Sequence, residues 1–232
     1  MYYGLGFNPL YFVLVIPPLL LGFWAQMKVR GAYAKYTKVP NQRRLTGLDA
    51  AKIILGPEGL HDVSIDGVRG ELTDHYDPRS KKLGLSAGVA QQPSVAALAI
   101  VAHEIGHALQ DQQNYAPLKL RGALVPAVRL GAWVGPILFM AGFLLQFTGL
   151  AWLGVFAFGL SAIFAVMTLP VEFDASKRGL RLLQTYNLTI GNEVQGAKAV
   201  LDAAALTYVA AAIQAVATLL YYVMLIAGRR DE

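Results

Sequence analysis

Charged side chains are missing from three long stretches of the sequence, residues 1–26, 130–171 and 203–228. A helix needs about 20 apolar residues to cross the hydrocarbon core of a bilayer. The first and third stretches each have room for one such helix, and the middle stretch has room for two, divided by the polar turn at 146–149. The pattern therefore predicts four membrane spans, at about residues 6–26, 124–146, 149–169 and 204–227.

Two helix-start signals lie in the polar part of the chain. Thr46 and Asp49 form a capping-box pattern before a helix predicted at 47–55, which Gly56-Pro57 would end. Further on, Pro93 suits the first turn of a helix or Ser94 caps it, and this second helix is predicted to run to about Gln112.

The sequence between these helices, residues 61–86, is typical of short β-strands. Val63 and Ile65 alternate with polar neighbours, and Asp66-Gly67 and Asp77-Pro78 are turn pairs. The last strand is predicted at Leu83–Ser86.

These patterns predict a mainly α membrane protein with four transmembrane helices and a small cytoplasmic α+β domain. Five segments follow: a transmembrane anchor at 1–26, the α+β segment at 27–121, a transmembrane pair at 122–169, a helix at 170–203, and a last transmembrane helix with a tail at 204–232.

Composition agrees with a membrane protein. Only 15% of the residues are charged, against about 25% in a soluble domain, and the mean hydropathy is +0.44. Lysine and arginine follow the first and third spans and precede the second, whereas the 146–149 turn has none. The positive-inside rule therefore puts 27–121 and 170–203 in the cytoplasm and both termini outside. The first span has no basic region before it, so we expect an uncleaved anchor.

Charge and cysteine content narrow the possible partners. The net charge of +5 follows from the membrane topology, and no aromatic-basic motif accompanies it, so we expect a lipid bilayer and no nucleic acid as partner. The chain has no cysteine, which excludes disulfides and thiolate metal sites.

The predicted helix 94–112 carries His103-Glu104-Ile105-Gly106-His107. Residues four apart lie on one face of a helix, so both imidazoles can reach a single Zn²⁺ ion. Glu104 can then take a proton from zinc-bound water and pass it to a leaving amine, which is the chemistry of the H-E-x-x-H motif. Gly106 lowers helix propensity, and a close approach by another element would explain it.

A hydrolytic zinc site needs a third protein ligand on the same side of the membrane. Glu172 follows the third span, and the two spans between it and the histidines return the chain to the same face. A carboxylate next to a long apolar run also needs a partner. Glu172 is therefore the favoured third ligand, while His61, His75 and Asp174 stay open as alternatives.

Several motifs in order resemble the YugP-type membrane neutral zinc metallopeptidases. They are LTDHYDPRSKKLGLS, HEIGHALQD, YAPLKLR, the pair of spans and LPVEFDASKRGL. The resemblance implies a membrane-embedded zinc peptidase with a zincin-like domain, one Zn²⁺ per chain, His103 and His107 as metal ligands and Glu104 as catalytic base.

The pattern is more distantly similar to the HtpX and CaaX-prenyl-protease gluzincins, which have an E-x-x-x-D segment after the transmembrane helices. Here Ser176 stands four residues after Glu172, so the role of that aspartate has no matching residue. Asp174 and Asp111 are candidates to orient a ligand histidine instead.

Substrate binding and transition-state stabilisation require further groups. An extended peptide could pair with an exposed strand edge, for which Leu83–Ser86 is a candidate. A second electrophile at the oxyanion has five unranked candidates, of which His75 is the first to mutate; the others are Tyr76, Tyr115, Arg178 and Tyr186. Gly131 and Gly135 form a G-x-x-x-G pattern that indicates close helix packing in the second span.

The sequence therefore predicts a zinc endopeptidase that hydrolyses membrane or membrane-associated proteins at the cytoplasmic face. The alternatives are a site-2-type intramembrane protease and a zinc-stabilised membrane scaffold without turnover. Glu104 argues against the scaffold, because a purely structural site needs no base. The natural substrate and any membrane-protein regulator are not encoded in a recognisable motif.

Overall fold

The computed structural model describes residues 9–228, so the start of the predicted first span and both chain ends lie outside the described part. That part is mostly helical, with one small sheet. In chain order its elements are α1 (Pro9–Leu14), α2 (Ile16–Thr37), α3 (Gly47–Leu55), β1 (Ser64–Val68), β2 (His75–Asp77), β3 (Lys82–Ser86), α4 (Ala87–Gln91), α5 (Val95–Gln112), α6 (Ala116–Leu144), α7 (Thr148–Thr185) and α8 (Glu193–Ala227).

Four helical stretches among the described residues are long and apolar enough to cross a membrane. They are Phe12–Thr37, α6, α7 and α8. This confirms the predicted number of such helices and the polar turn that separates α6 from α7. The helices themselves extend beyond the apolar runs, because helical hydrogen bonding continues into polar sequence. Helix α7, for example, passes Pro170 and ends at Thr185.

The chain divides into two compact units, each assembled from segments that are distant in sequence. A helical unit comprises Met1–Ala25, Leu120–Leu169 and Thr207–Glu232. An α+β unit comprises Gln26–Lys119 and Pro170–Leu206. Helices α2, α6, α7 and α8 each contribute residues to both units.

Within the helical unit, glycines bring α6 and α7 into backbone contact. A Cβ atom added at Gly131 would lie 2.3 Å from the carbonyl oxygen of Ala157, and one at Gly154 would lie 2.3 Å from the amide nitrogen of Phe139. Real Cβ atoms do not approach backbone so closely, so the crossing requires glycine. The close packing indicated by Gly131 and Gly135 is confirmed.

Helix starts in the α+β unit follow their sequence signals. The Thr46 hydroxyl accepts from the Asp49 amide, and the Asp49 carboxylate accepts from the Thr46 amide, which completes the predicted capping box of α3. These hydrogen bonds lower the pKa of Asp49, since they favour its charged form. The hydroxyl of Ser94 accepts from the Ala97 amide at 3.1 Å, so Ser94 caps α5.

The sheet has the strand order β1-β3-β2. Strand β3 pairs in parallel with β1 and antiparallel with β2. The strand at 83–86 is therefore central, and the prediction that it offers a free edge is wrong; the edges are β1 and β2. The turn at Asp66-Gly67 is also wrong, because both residues continue β1 opposite Gly84 and Leu85.

The core of the α+β unit lies between the sheet and helices α3, α5 and α7. Its largest fully buried side chains include Ile54, Leu83, Leu98, Ile105 and Leu183. Five further buried positions of α5 are alanines, which allows neighbouring elements to approach it closely. The motif helix is thus held on several sides before any metal binds.

Candidate metal centre and active site

Helix α5 presents two histidines on one face, as their spacing predicts. The ring centroids of His103 and His107 lie 4.7 Å apart, with an angle of 85° between the ring planes. Their side chains are only 13% and 11% exposed. Both imidazoles are therefore positioned side by side in a largely buried location.

Helix α7 brings a carboxylate to these imidazoles. Glu172 Oε2 lies 3.4 Å from Nε2 of His103 and 3.6 Å from Nε2 of His107. One ligand atom from each of the three residues lies within 4.8 Å of the others. Two imidazole nitrogens and one carboxylate oxygen form a donor set that Zn²⁺ accepts with a fourth position open. In the part of the chain described, these residues form a group that could hold a metal ion.

The three ligand candidates converge because α5 and α7 cross in backbone contact. A Cβ atom added at Gly106 would lie 2.5 Å from the carbonyl oxygen of Ala175, and one at Gly179 would lie 2.9 Å from the carbonyl carbon of Ala102. The close approach expected from the glycine within the motif is therefore present, and its partner is the turn of α7 that follows Glu172.

Glu104 lies beside this group on α5 and is buried. Its Oε2 accepts a hydrogen bond from the Tyr76 backbone amide at 2.9 Å. Burial raises the pKa of Glu104 above the ordinary value of a carboxyl group, because its charged form is desolvated. A base at this position therefore holds a proton more readily than an exposed glutamate does.

Each histidine has a hydrogen-bond partner on the ring nitrogen that faces away from Glu172. Nδ1 of His103 lies 3.1 Å from the hydroxyl oxygen of Ser176, and Nδ1 of His107 lies 3.0 Å from Oε1 of Gln110. Neither partner was predicted from the sequence. Their spacing was a usable signal: Gln110 is three residues after a ligand histidine, and Ser176 is four residues after Glu172.

The two aspartates considered as histidine partners occupy different positions from those expected. Asp174 accepts from the Gln110 side-chain amide at 2.9 Å and from the Arg178 guanidinium. Asp111 accepts from the Tyr76 hydroxyl at 2.9 Å. Asp174 therefore reaches His107 only through Gln110, and Asp111 ties strand β2 to helix α5.

Other candidate residues lie outside the group of three ligands. His61 and His75 are exposed, and Nδ1 of His75 lies 2.9 Å from the carbonyl oxygen of Thr73. The Arg178 guanidinium lies 5.8 Å from the ring centroid of Tyr115, and the Tyr186 hydroxyl donates to Glu58. The assignment of a second electrophile stays a prediction.

Helices able to cross a membrane, together with a buried His-His-Glu group beside a glutamate, define a membrane protein with a candidate hydrolytic metal centre. A family model described as "Putative neutral zinc metallopeptidase" matches residues 11–227. The chain is 43% identical over 223 residues to "Putative membrane protease YugP" of Bacillus subtilis (strain 168), covering 96% of this chain and 99% of that protein. No solved structure matches the chain. The chain belongs to this family of neutral zinc metallopeptidases, as the sequence motifs implied.

Proposed function

We propose that the protein is a membrane-embedded zinc endopeptidase that hydrolyses peptide bonds of membrane or membrane-associated proteins at the cytoplasmic face. The observation that carries the proposal is the convergence of His103, His107 and Glu172, with ligand atoms within 4.8 Å of one another, beside the buried Glu104. One zinc ion per chain would be held by these three residues.

A zinc ion bound by these residues would supply a Lewis acid that polarises a carbonyl group and makes water a better nucleophile. Glu104 is the base that accepts the proton of the attacking water and delivers it to the leaving amine. The Tyr76 amide, which donates to Glu104 Oε2, keeps that carboxylate directed at the reacting groups. His103 and His107 would hold the metal through Nε2, since their Nδ1 atoms already have partners.

The substrate is proposed to bind as an extended strand along β2. The Tyr76 amide is directed at Glu104 and not at β3, so the outer edge of β2 runs beside the base. A peptide would pair with the backbone groups of this edge other than the Tyr76 amide, which already donates to Glu104, and such pairing requires no particular side chain. Strand β2 thus replaces β3 as the candidate substrate edge.

The membrane and cytoplasmic assignments rest on sequence and on chain connectivity. Glu172 lies on α7, the same helix that carries one of the four apolar runs. Lysine and arginine flank the spans on the side that carries the motif. A site supplied by a membrane-crossing helix suits substrates that are themselves in the membrane or close to it. An intramembrane protease of the site-2 type is less well supported, because α5 is not one of the described helices apolar enough to span a bilayer.

The test is Glu104→Gln in the full-length protein in detergent, with bound zinc measured by elemental analysis and cleavage measured on fluorescently labelled casein. We expect about one zinc per chain in wild type and variant, and a 10²- to 10⁴-fold slower cleavage in the variant, the usual contribution of general acid–base catalysis. Glu71→Gln, at an exposed glutamate, is the matched control and should cleave like wild type.

Two ligand variants complete the test. Glu172→Ala and His103→Ala should each lose zinc while the far-ultraviolet circular dichroism spectrum is retained. If Glu172→Ala still binds zinc, Glu172 is not a zinc ligand. A Glu104→Gln variant that keeps its full activity would favour the non-catalytic scaffold.

A further inference from the structure

Gln110 is fully buried and makes three hydrogen bonds, none of which the proposed catalytic chemistry uses directly. Its side-chain nitrogen donates to the carbonyl oxygen of Val171 at 2.8 Å and to Asp174 Oδ2 at 2.9 Å. Its side-chain oxygen lies 3.0 Å from Nδ1 of His107. A buried amide with every donor and its acceptor engaged is fixed in one orientation.

The partners of Gln110 determine where the proton of His107 must lie. A carbonyl oxygen and a carboxylate oxygen only accept, so both must face the NH₂ group of the glutamine. The amide oxygen is thereby left facing His107, and an oxygen can only accept. A neutral His107 imidazole must then carry its proton on Nδ1, which leaves Nε2, the atom that faces Glu172, with a free lone pair.

The network also joins the two helices that supply the ligands. Gln110 is on α5, whereas Val171 and Asp174 are on α7 and lie on either side of Glu172 in sequence. Asp174 is in turn held by Arg178, which also donates at 2.6 Å to Oε1 of Gln113, the residue that directly follows α5. One glutamine thus fixes both the ring of His107 and the turn of α7 from which Glu172 extends.

The partner of His103 lacks this property. Ser176 offers a hydroxyl, which can rotate and can either donate or accept. Its 3.1 Å contact with Nδ1 of His103 therefore supports the ring without determining which nitrogen carries the proton. The partner of His107 therefore fixes which ring nitrogen carries the proton, whereas the partner of His103 does not.

We infer that Gln110 is a positioning residue of the proposed metal centre: it holds His107 with Nε2 available to the metal and, through Val171 and Asp174, holds the Glu172 turn in register. The part of this inference that concerns metal binding rests on the proposed function. The orientation of His107 is a property of the metal-free protein and is tested separately.

The test uses full-length protein in detergent with ¹⁵N-labelled histidine rings. The chain has four histidines, so a His107→Gln variant identifies the His107 signals. In chelator-treated wild type, at a pH high enough for the His107 imidazole to be neutral, we expect a single tautomer of His107, with the proton on Nδ1. Gln110→Met, which keeps a similar shape and removes the amide, should give a mixture of tautomers. Gln112→Met is the matched control on the same helix, because Gln112 is bonded to Glu58 and Gly59.

Zinc affinity, measured by competition with a chelator, is the second readout. Gln110→Met should bind zinc about 10- to 100-fold more weakly, the usual effect of losing the partner of a ligand histidine. Ser176→Ala should have a smaller effect, and Gln112→Met none. Unchanged His107 tautomer and unchanged zinc affinity in Gln110→Met would overturn the inference. A wild type that binds no zinc would contradict the proposed function, while the tautomer measurement would still decide the role of Gln110.

A polarity swap keeps the test decisive if Gln110→Met does not fold. In the Gln110→Glu variant, two carboxylates face each other where the amide met Asp174, so zinc affinity should fall. The carboxylate of Gln110→Glu can still accept from Nδ1 of His107, but it offers no donor to the Val171 carbonyl oxygen or to Asp174. We therefore expect Gln110→Glu to keep the Nδ1 tautomer of His107 while its zinc affinity falls. Unchanged zinc affinity in Gln110→Glu would show that the bonds from Gln110 to α7 are not required.

Discussion

Gly106 stands between the two candidate ligand histidines on α5, where the backbone of α7 leaves no space for a side chain. We expect Gly106→Ala to destabilise the protein by about 1–3 kcal/mol, the usual cost of forcing atoms into a packed interior. The crossing must open to admit the methyl group, and Glu172 then moves away from the histidines. The midpoint temperature of thermal unfolding and the amount of bound zinc should both decrease.

Gly31→Ala is the matched control for that change. Gly31 is also helical, and a Cβ atom added there would meet no atom within 4 Å. Alanine has the higher helix propensity by about 1 kcal/mol, so this variant should be as stable as wild type or slightly more stable. A Gly106→Ala protein with unchanged stability and zinc content would show that the crossing adjusts without affecting the site.

At the residue scale, the convergence of His103, His107 and Glu172 could be anticipated from the sequence. Helical periodicity places the first two on one face, and counting spans returns the third to the same side. Gln110 and Ser176 were missed because a hydrogen-bond partner depends on rotamers and on the angle at which two helices cross. Asp174 was a candidate to orient a ligand histidine and does lie near His107, but Gln110 stands between the two residues.

At the scale of single elements, strand β2 is attached to α5 through two groups of Tyr76, its backbone amide and its hydroxyl. The Tyr76 amide donates to Glu104, and its hydroxyl donates to Asp111. Burial and the Asp111 carboxylate raise the pKa of the Tyr76 hydroxyl, which therefore stays protonated and able to donate at neutral pH. The short strand is thereby fixed beside the proposed base.

We expect Tyr76→Phe to keep zinc and to lower kcat/KM for casein about tenfold, because β2 loses its bond to Asp111, worth about 1.5–3 kcal/mol for a charged acceptor. Tyr186→Phe removes a comparable hydroxyl bond, to Glu58 at 2.8 Å, at a position outside the ligand group. It should keep full activity. Equal loss of activity in both variants would point to general destabilisation and would contradict a specific role for β2.

Helix starts were easier to predict than strand pairing. The capping box of α3 and the Ser94 cap of α5 are local hydrogen bonds encoded within a few residues. Strand order is not local: β1 pairs with β3 in parallel, across the intervening β2. A turn at Asp66-Gly67 is reasonable on composition, but pairing along the whole of Ser64–Val68 keeps these residues extended.

At the scale of the whole molecule, the predicted orientation can be measured because the chain has no cysteine. Ser80→Cys places a thiol in the exposed turn between β2 and β3, and Thr148→Cys places one at the exposed start of α7. In intact cells, a membrane-impermeant maleimide should label Thr148→Cys only. Ser80→Cys should react only after the membrane is permeabilised.

The two cysteine variants control for each other, since both carry one thiol in an otherwise cysteine-free chain. Labelling of Ser80→Cys in intact cells, with protection of Thr148→Cys, would reverse the topology and place the motif outside. The four apolar runs of the sequence predicted the number of long apolar helices correctly. The prediction of which side of the membrane carries the H-E-x-x-H motif rests on the distribution of lysine and arginine.

The assembly of the α+β unit from two distant segments has a consequence for biosynthesis. A nascent chain extended only to residue 169 has both histidines and Glu104 but lacks Glu172. The histidines are synthesised before α6 and the apolar run of α7, and Glu172 is synthesised after them. The proposed site therefore cannot be completed while those helices are still being made. The proposed zinc site is therefore completed late in synthesis, after the apolar runs of α6 and α7 have been made.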